Sequence, residues 1–203
     1  MPGLNSNNSI RRGILSYDSN FKDRCFANYT DLEPIIGHCK GLGLRIVLTS
    51  GTFDMVHIGH ARYLETAKKF GDFLIVGVDS DEKVRKRKGP DRPIVPHTER
   101  MEILSHMRYV DAVVLKAINA PRWALIKMAK PDVLIATQET YTKEELIELK
   151  KYCGKVVVLD PMATTSTSAK IRRLQISMAG RLEKILTPKL LQAIEESLEE
   201  VKK

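Results

Sequence analysis

Aromatic residues are scarce in this chain: phenylalanine, tyrosine and tryptophan together make up 6% of 203 residues, with a single tryptophan. Single-stranded nucleic acid is held on aromatic stacking platforms. Neither basic cluster, Lys83-Val84-Arg85-Lys86-Arg87-Lys88 or Lys170-Ile171-Arg172-Arg173, is interleaved with aromatics, which argues against a nucleic-acid partner despite a net charge of +8. Cysteine is sparse as well. Cys25, Cys39 and Cys153 are scattered and form no C-x-x-C pair, which excludes a disulfide framework or zinc ribbon and fits reduced thiols of a cytoplasmic protein. No apolar run approaches the roughly 18–20 residues that cross a bilayer, so no membrane association is expected. Residues 1–9 lack the apolar core of a secretory signal.

What is present is a regular alternation. With 43% hydrophobic residues, the chain has enough apolar surface for one well-buried domain and an appendage. Residues 1–29 are polar, Asn/Ser-rich and aperiodic, and read as a loosely ordered leader. Asp31 is placed to cap a short helix over 31–39. Apolar runs at 46–50, 73–78, 112–115, 132–136 and 155–159 then alternate with helical patterns at 60–70, 98–107, 121–129 and 142–152. The last helix opens with a capping box, Thr142 and Glu145.

Short Val/Ile/Leu runs between amphipathic helices predict an α/β fold, Rossmann-like and doubly wound. Its five-stranded parallel sheet has the first of these runs at the centre. The domain is expected over 30–175 and a helical C-terminal extension over 176–203. In that extension Pro188 fits the first helical position after Thr187. Leu190, Leu191, Ile194, Leu198 and Val201 form an apolar stripe, to be buried on the domain itself or in a homodimer.

The most informative segment is Gly51-Thr52-Phe53-Asp54-Met55-Val56-His57-Ile58-Gly59-His60, which lies where the first predicted strand turns into a helix. Helix N-terminal N–H groups and the macrodipole gather anions there. Gly59 allows close backbone approach, and two imidazoles three residues apart can aim at one phosphate. Such a site suits chemistry at the α-phosphate of a nucleotide. A basic run, Lys83-Val84-Arg85-Lys86-Arg87-Lys88, is either a solvated face or a phosphate clamp.

The Gly-Thr-Phe-Asp-x-x-His-x-Gly-His segment resembles that of the cytidylyltransferase-like nucleotidyltransferases, and the resemblance extends from about residue 43 to 174. Further segments keep register: Asp79-Ser80-Asp81, Lys88-Gly89, Arg92-Pro93, Glu99-Arg100, Tyr109-Val110-Asp111 and Thr165-Ser166-Thr167-Ser168. Within the family the likeness is nearest to the adenylyltransferases of heptose 1-phosphate.

The resemblance implies transfer of an NMP group, AMP favoured, from ATP or CTP to a phosphorylated small molecule such as a sugar 1-phosphate, with release of pyrophosphate. It implies His57, His60 and Lys88 as catalytic residues. Gly51, Thr52, Phe53, Gly59, Ser166 and Thr167 join the two histidines in holding the nucleotide. Asp54, Asp79, Arg85, Arg87 and Arg100 would contact substrate or phosphate. Mg²⁺ would arrive with the triphosphate, since no Asp/Glu cluster marks a dedicated metal site.

One segment departs from the family. Where its members carry a Gly-Asp-bearing acceptor loop, this chain has Ile135-Ala136-Thr137-Gln138-Glu139-Thr140-Tyr141-Thr142, without lysine or glycine. The acceptor could then be glycerol phosphate, a phosphonylated alcohol or FMN, as in cytidylyltransferases and FAD synthetases. Class I aminoacyl-tRNA synthetases share His-x-Gly-His, but no Lys-Met-Ser-Lys-Ser-type loop follows here. A non-catalytic nucleotide-sensing or nucleic-acid-binding protein is the remaining class.

Overall fold

Valine, isoleucine and leucine dominate every strand, and β-branched side chains on a pleated surface buried from both sides dictate a covered parallel sheet. The computed structural model describes residues 21–137, 140–160, 162 and 167–201. In chain order its elements are α1 (Phe21–Arg24), β1 (Cys25–Phe26), α2 (Tyr29–Gly41), β2 (Ile46–Gly51), α3 (Ile58–Lys68), β3 (Phe73–Asp79), α4 (Asp81–Lys88) and α5 (His97–Ser105). There follow β4 (Ala112–Lys116), α6 (Ala124–Ala129), β5 (Val133–Ala136), α7 (Lys143–Leu149), β6 (Lys155–Val158) and α8 (Thr167–Val201).

All strands pair in parallel, in the order β1-β4-β3-β2-β5-β6. The Rossmann-like class is as expected, with six strands rather than five. The extra one is β1, whose Cys25 and Phe26 pair with Val113 and Val114 of β4. Two residues carry no periodicity, so this edge strand lies hidden in what reads as a leader. β2 sits between β3 and β5, and strand order reverses there. In such sheets ligands occupy the crevice beyond the carboxyl ends at that reversal.

Alternation along β2 divides the core. Val47 joins Leu64 and Ala67 of α3 and Met101 and Leu104 of α5 on one face. Ile46 and Leu48 join Leu32 and Ile36 of α2, Leu125 and Ile126 of α6 and Leu149 of α7 on the other. Each fully buried Leu or Ile contributes roughly 1.5–3 kcal/mol.

Two local expectations change, and one helix has no sequence signal. The N-cap of α2 is Asn28, whose side chain accepts the Asp31 N–H at 3.0 Å, so the helix starts earlier and Asp31 lies in its first turn. The basic run is itself a helix, α4, capped by Ser80. Its single buried apolar residue, Val84, gives no periodic signal. Pro188 lies inside the continuous α8 rather than at its start: it lacks one N–H, and the turns on either side carry the helix past it. The chain divides between residues 163 and 164 into two units, and α8 belongs to the second. Among the described residues no helix is long and apolar enough to cross a membrane.

Candidate active site

β2 ends at Gly51, and residues 52–57 carry the chain into α3. Two non-glycine residues of this loop, Phe53 and Met55, stand in the left-handed region at φ 51°. Such backbone costs of order 1–3 kcal/mol each and persists only where the surroundings enforce it. Asp54 supplies that enforcement. Its buried carboxylate accepts the N–H groups of Ile94 and Val95 at 3.1 and 3.0 Å and pairs with Arg92 at 3.0 Å.

Arg100 enforces it from below. Its guanidinium has no accessible surface and donates to the carbonyls of Thr52, Val95 and Asp79 and to the Asp81 carboxylate. Asp54 and Arg100, expected to contact substrate or phosphate, thus spend these groups on protein partners and hold the loop. Asp81 also lies 3.0 Å from His97 Nδ1. Burial works to raise the Asp81 pKa, but Arg100 and His97 prevail and hold it below the ordinary carboxylate value of 3.8.

The two histidines form a reciprocal cap. His57 is the N-cap of α3, and its Nδ1 accepts the Gly59 N–H at 3.1 Å. His60 Nδ1 accepts the backbone N–H of His57 at 3.2 Å. A nitrogen that accepts a backbone N–H carries no proton, so each neutral ring bears its proton on Nε2 and is a donor there. The rings lie 4.1 Å apart, centroid to centroid, and the His60 ring is 5.5 Å from that of buried Phe53. Gly59 is buried in the first turn, its N–H committed to the cap.

Helical spacing sorts the basic run. Lys83 and Arg87, one turn apart on α4, face Asp79 at the end of β3, at 3.8 and 2.9 Å. Arg87 also donates to Thr52 Oγ1 at 2.6 Å, joining α4 to the histidine loop. Arg85 and Lys86 are exposed. Lys88 closes α4 before Gly89, whose φ of 97° suits glycine. Although Lys88 is exposed, partial desolvation and the nearby Arg87 and Arg92 lower its pKa, while Asp54 and Asp79 pull the other way. Ser166 lies outside the described residues, and Thr167 is the first residue of α8. Gln138 and Glu139 of the departing loop also lie outside them.

Sequence reasoning missed a second set of groups. Lys116 ends β4 opposite Asp79 in register and reaches it at 3.2 Å. With Ser50, Arg122, Trp123 and Tyr141, these charges line a cavity on the α6 side of the sheet. The one available signal was a lysine closing an apolar strand at the carboxyl edge. Among the described residues no group of three or more His, Cys, Asp or Glu could hold a metal ion.

A family model described as cytidylyltransferase-like matches residues 48–187. A curated relative, "Bifunctional protein HldE" of Methylobacillus flagellatus, is 41% identical over 150 residues, covering 72% of this chain and 30% of the relative. Its namesake from Nitratiruptor sp. is 38% identical over 148 residues, covering 73% of this chain and 31% of that protein. The chain therefore spans about a third of the length of these relatives. Among solved structures, a lipopolysaccharide core biosynthesis protein from Thermoplasma volcanium is 28% identical, with a TM-score of 0.52 over 59% of this chain and 99% of that one. A pantoate-beta-alanine ligase from Francisella tularensis, 17% identical with a TM-score of 0.55 over 81% of this chain and 79% of its own, shares the fold.

Proposed function

The chain belongs to the cytidylyltransferase-like family of nucleotidyltransferases, and on that premise we propose that it transfers AMP from ATP to a phosphorylated small molecule such as a sugar 1-phosphate. The observation that carries this reading is the reciprocal cap. It fixes both histidines as Nε2–H donors at the N-terminus of α3, beside the strained loop after the central strand.

An acceptor phosphate oxygen attacks the α-phosphorus. The new O–P bond forms as the bridge to the β-phosphate breaks, and pyrophosphate leaves with the electron pair. The nucleophile is already an anion, so no strong base is required. What is required is positioning and stabilisation of charge on the α-phosphate and leaving group. His57 and His60 donate to those oxygens from Nε2, and the α3 dipole adds to the same field. Lys88 and Arg87 take the phosphates from the side.

Mg²⁺ neutralises phosphate charge when it arrives with a nucleotide. The carboxylates here do not suit it. Asp54 is paired with Arg92, and Asp79 is surrounded by Lys83, Arg87 and Lys116. The ion would be held by the triphosphate, and no step depends on a protein ligand to it. The reaction calls for a compartment that holds ATP or CTP, and so for the cytoplasm.

Pyrophosphate release tests the reading. ATP and CTP are each offered with phosphorylated sugars, phosphorylated polyols and FMN. Release with ATP that depends on a phosphorylated acceptor is expected. Release with CTP alone, or with FMN alone, would replace the donor or acceptor named here. No acceptor-dependent release at all would overturn the transferase reading.

A further inference from the structure

Ser50, next to last in β2, and Asp79 and Lys116, the last residues of β3 and β4, lie on three adjacent strands on the α6 side of the sheet, and the cavity above them measures ≈ 170 Å³. Its charges do not balance. Asp79 is 1% exposed and faces Lys83, Arg87 and Lys116 at 3.8, 2.9 and 3.2 Å. None of these contacts has hydrogen-bond geometry, and both Asp79 oxygens accept no hydrogen bond. Arg122, a further cation of the lining, is paired with Glu145. One carboxylate thus serves three cations. Partial burial lowers the Lys83 pKa, as do its cationic neighbours Lys116 and Arg87, against the pull of Asp79.

We propose that this cavity receives the non-reacting end of the acceptor, and that this end carries a second anionic group, carboxylate or phosphate, beside a hydroxyl. The inference rests on the nucleotidyl-transfer reading and extends it to the acceptor. Crowded, partly desolvated cations are costly unless an anion joins them. The acceptor's reacting phosphate is committed to the histidine loop, so the surplus calls for another charge on the same molecule. A neighbouring hydroxyl gives the Asp79 oxygens the donor they lack.

Arg87 makes the two places contiguous, since it pairs with Asp79 in the cavity and donates to Thr52 in the loop. Gly77 packs against the lining side chains Ser50, Leu125 and Lys116. A Cβ there would lie 2.7 Å from Ser50 Oγ and Leu125 Cδ2 and 2.8 Å from Lys116 Cδ, so only glycine leaves Lys116 in place. Trp123 stands in the wall at φ 60°, with the Arg122 guanidinium 4.4 Å from its ring centroid. Trp123 thus joins Phe53 and Met55 as a non-glycine residue held in the left-handed region.

Trp123 is the one tryptophan of the chain, so its emission reports occupancy without any turnover. Two matched pairs are titrated into the full chain at constant ionic strength: glycerol 3-phosphate against 3-phosphoglycerate, and glucose 1-phosphate against glucose 1,6-bisphosphate. In at least one pair the ligand with the second anion is expected to bind at least ~10-fold more tightly, about 1.4 kcal/mol. Which pair shows the preference decides between carboxylate and phosphate. Lys116→Ala is expected to abolish the preference and Lys116→Arg to retain it, with thermal unfolding confirming both folds.

Equal affinities within both pairs, no saturable response to any of the four, or a preference that survives in folded Lys116→Ala would each overturn the proposal. Pyrophosphate release in parallel keeps it separate from the transfer reading. A Trp123 preference without pyrophosphate release from any acceptor would sink the reaction and leave an anion site. Release without the preference would sink the site and leave the reaction.

Discussion

Arg87 reaches from the last turn of α4 to the hydroxyl of Thr52 at 2.6 Å, between residues 35 positions apart in sequence. The same guanidinium lies 2.9 Å from Asp79. One side chain thereby fixes the basic run against the end of β3 and against the loop that presents the histidines. That arrangement makes one phosphate-facing edge out of segments that look unrelated in the sequence. It also means that the cations of α4 are not equivalent: Lys83 and Arg87 are tied to Asp79, whereas Arg85 and Lys86 face solvent.

The reciprocal cap separates the chemistry of the histidines from their structural role. Asparagine is a good N-cap and can accept the Gly59 N–H as His57 does, but it has no group at the Nε2 position. His57→Asn should unfold within ~1 kcal/mol of wild type while kcat falls about 10²–10³-fold, the usual loss on removing one preorganised donor to developing charge. His57→Ala should lose the rate and additionally about 1 kcal/mol of stability. Urea unfolding beside steady-state kinetics checks both. An Asn variant with wild-type kcat would remove His57 from the chemistry.

Arg100 should behave as a structural residue. Its guanidinium is fully buried and holds Thr52, Val95, Asp79 and Asp81 together. Removing one member of such a network leaves buried acceptors unpaired and costs about 3–5 kcal/mol. Arg100→Met should therefore lower the urea midpoint sharply, with lost activity following lost fold. A variant of native stability with a raised KM for nucleotide would return Arg100 to the phosphate-binding set.

The fold was legible because its signal is periodic. Runs at 46–50, 73–78 and 112–115 correspond to β2, β3 and β4, and the His-x-Gly-His turn falls at the carboxyl end of the central strand. What stayed hidden lacks a period or depends on pairing across the sheet. β1 is two residues long, and α4 has one buried apolar side chain. The engagement of Asp54 with Ile94 and Val95 spans 40 or 41 residues and involves backbone N–H groups, which residue identity does not report. Lys116 becomes meaningful only once β3 and β4 set it beside Asp79.

Acid sensitivity should trace partly to Asp81. Its folded pKa lies below the ordinary value of 3.8, so the folded state prefers the ionised form more than the unfolded chain does. A depressed carboxylate contributes stability that is fully present above the unfolded pKa and is lost as pH falls through the folded one. Asp81→Asn should thus be less stable than wild type at pH 7, and the gap should narrow as pH drops below 3.8. Urea midpoints measured over that range check it; a gap that does not change with pH would assign the loss to packing alone.

The last prediction separates a phosphate clamp from a charged surface on the same short helix. Lys88 has a lowered pKa from partial desolvation and from Arg87 and Arg92, and it closes α4 next to the guanidinium that touches the histidine loop. Lys86, two positions earlier, is exposed. If Lys88 grips the triphosphate, Lys88→Ala should raise the KM for nucleotide and lower kcat together. Lys86→Ala should leave both within about twofold, because an exposed charge contributes small, salt-screened terms. A nucleic-acid patch would respond differently. There, both variants would keep their kinetics, and both would weaken DNA or RNA binding and flatten its salt dependence. Kinetics and a salt-titrated binding assay on the same two proteins distinguish the cases. A defect confined to Lys88→Ala is the expected result, and equal kinetics in the two variants would displace the clamp from this residue.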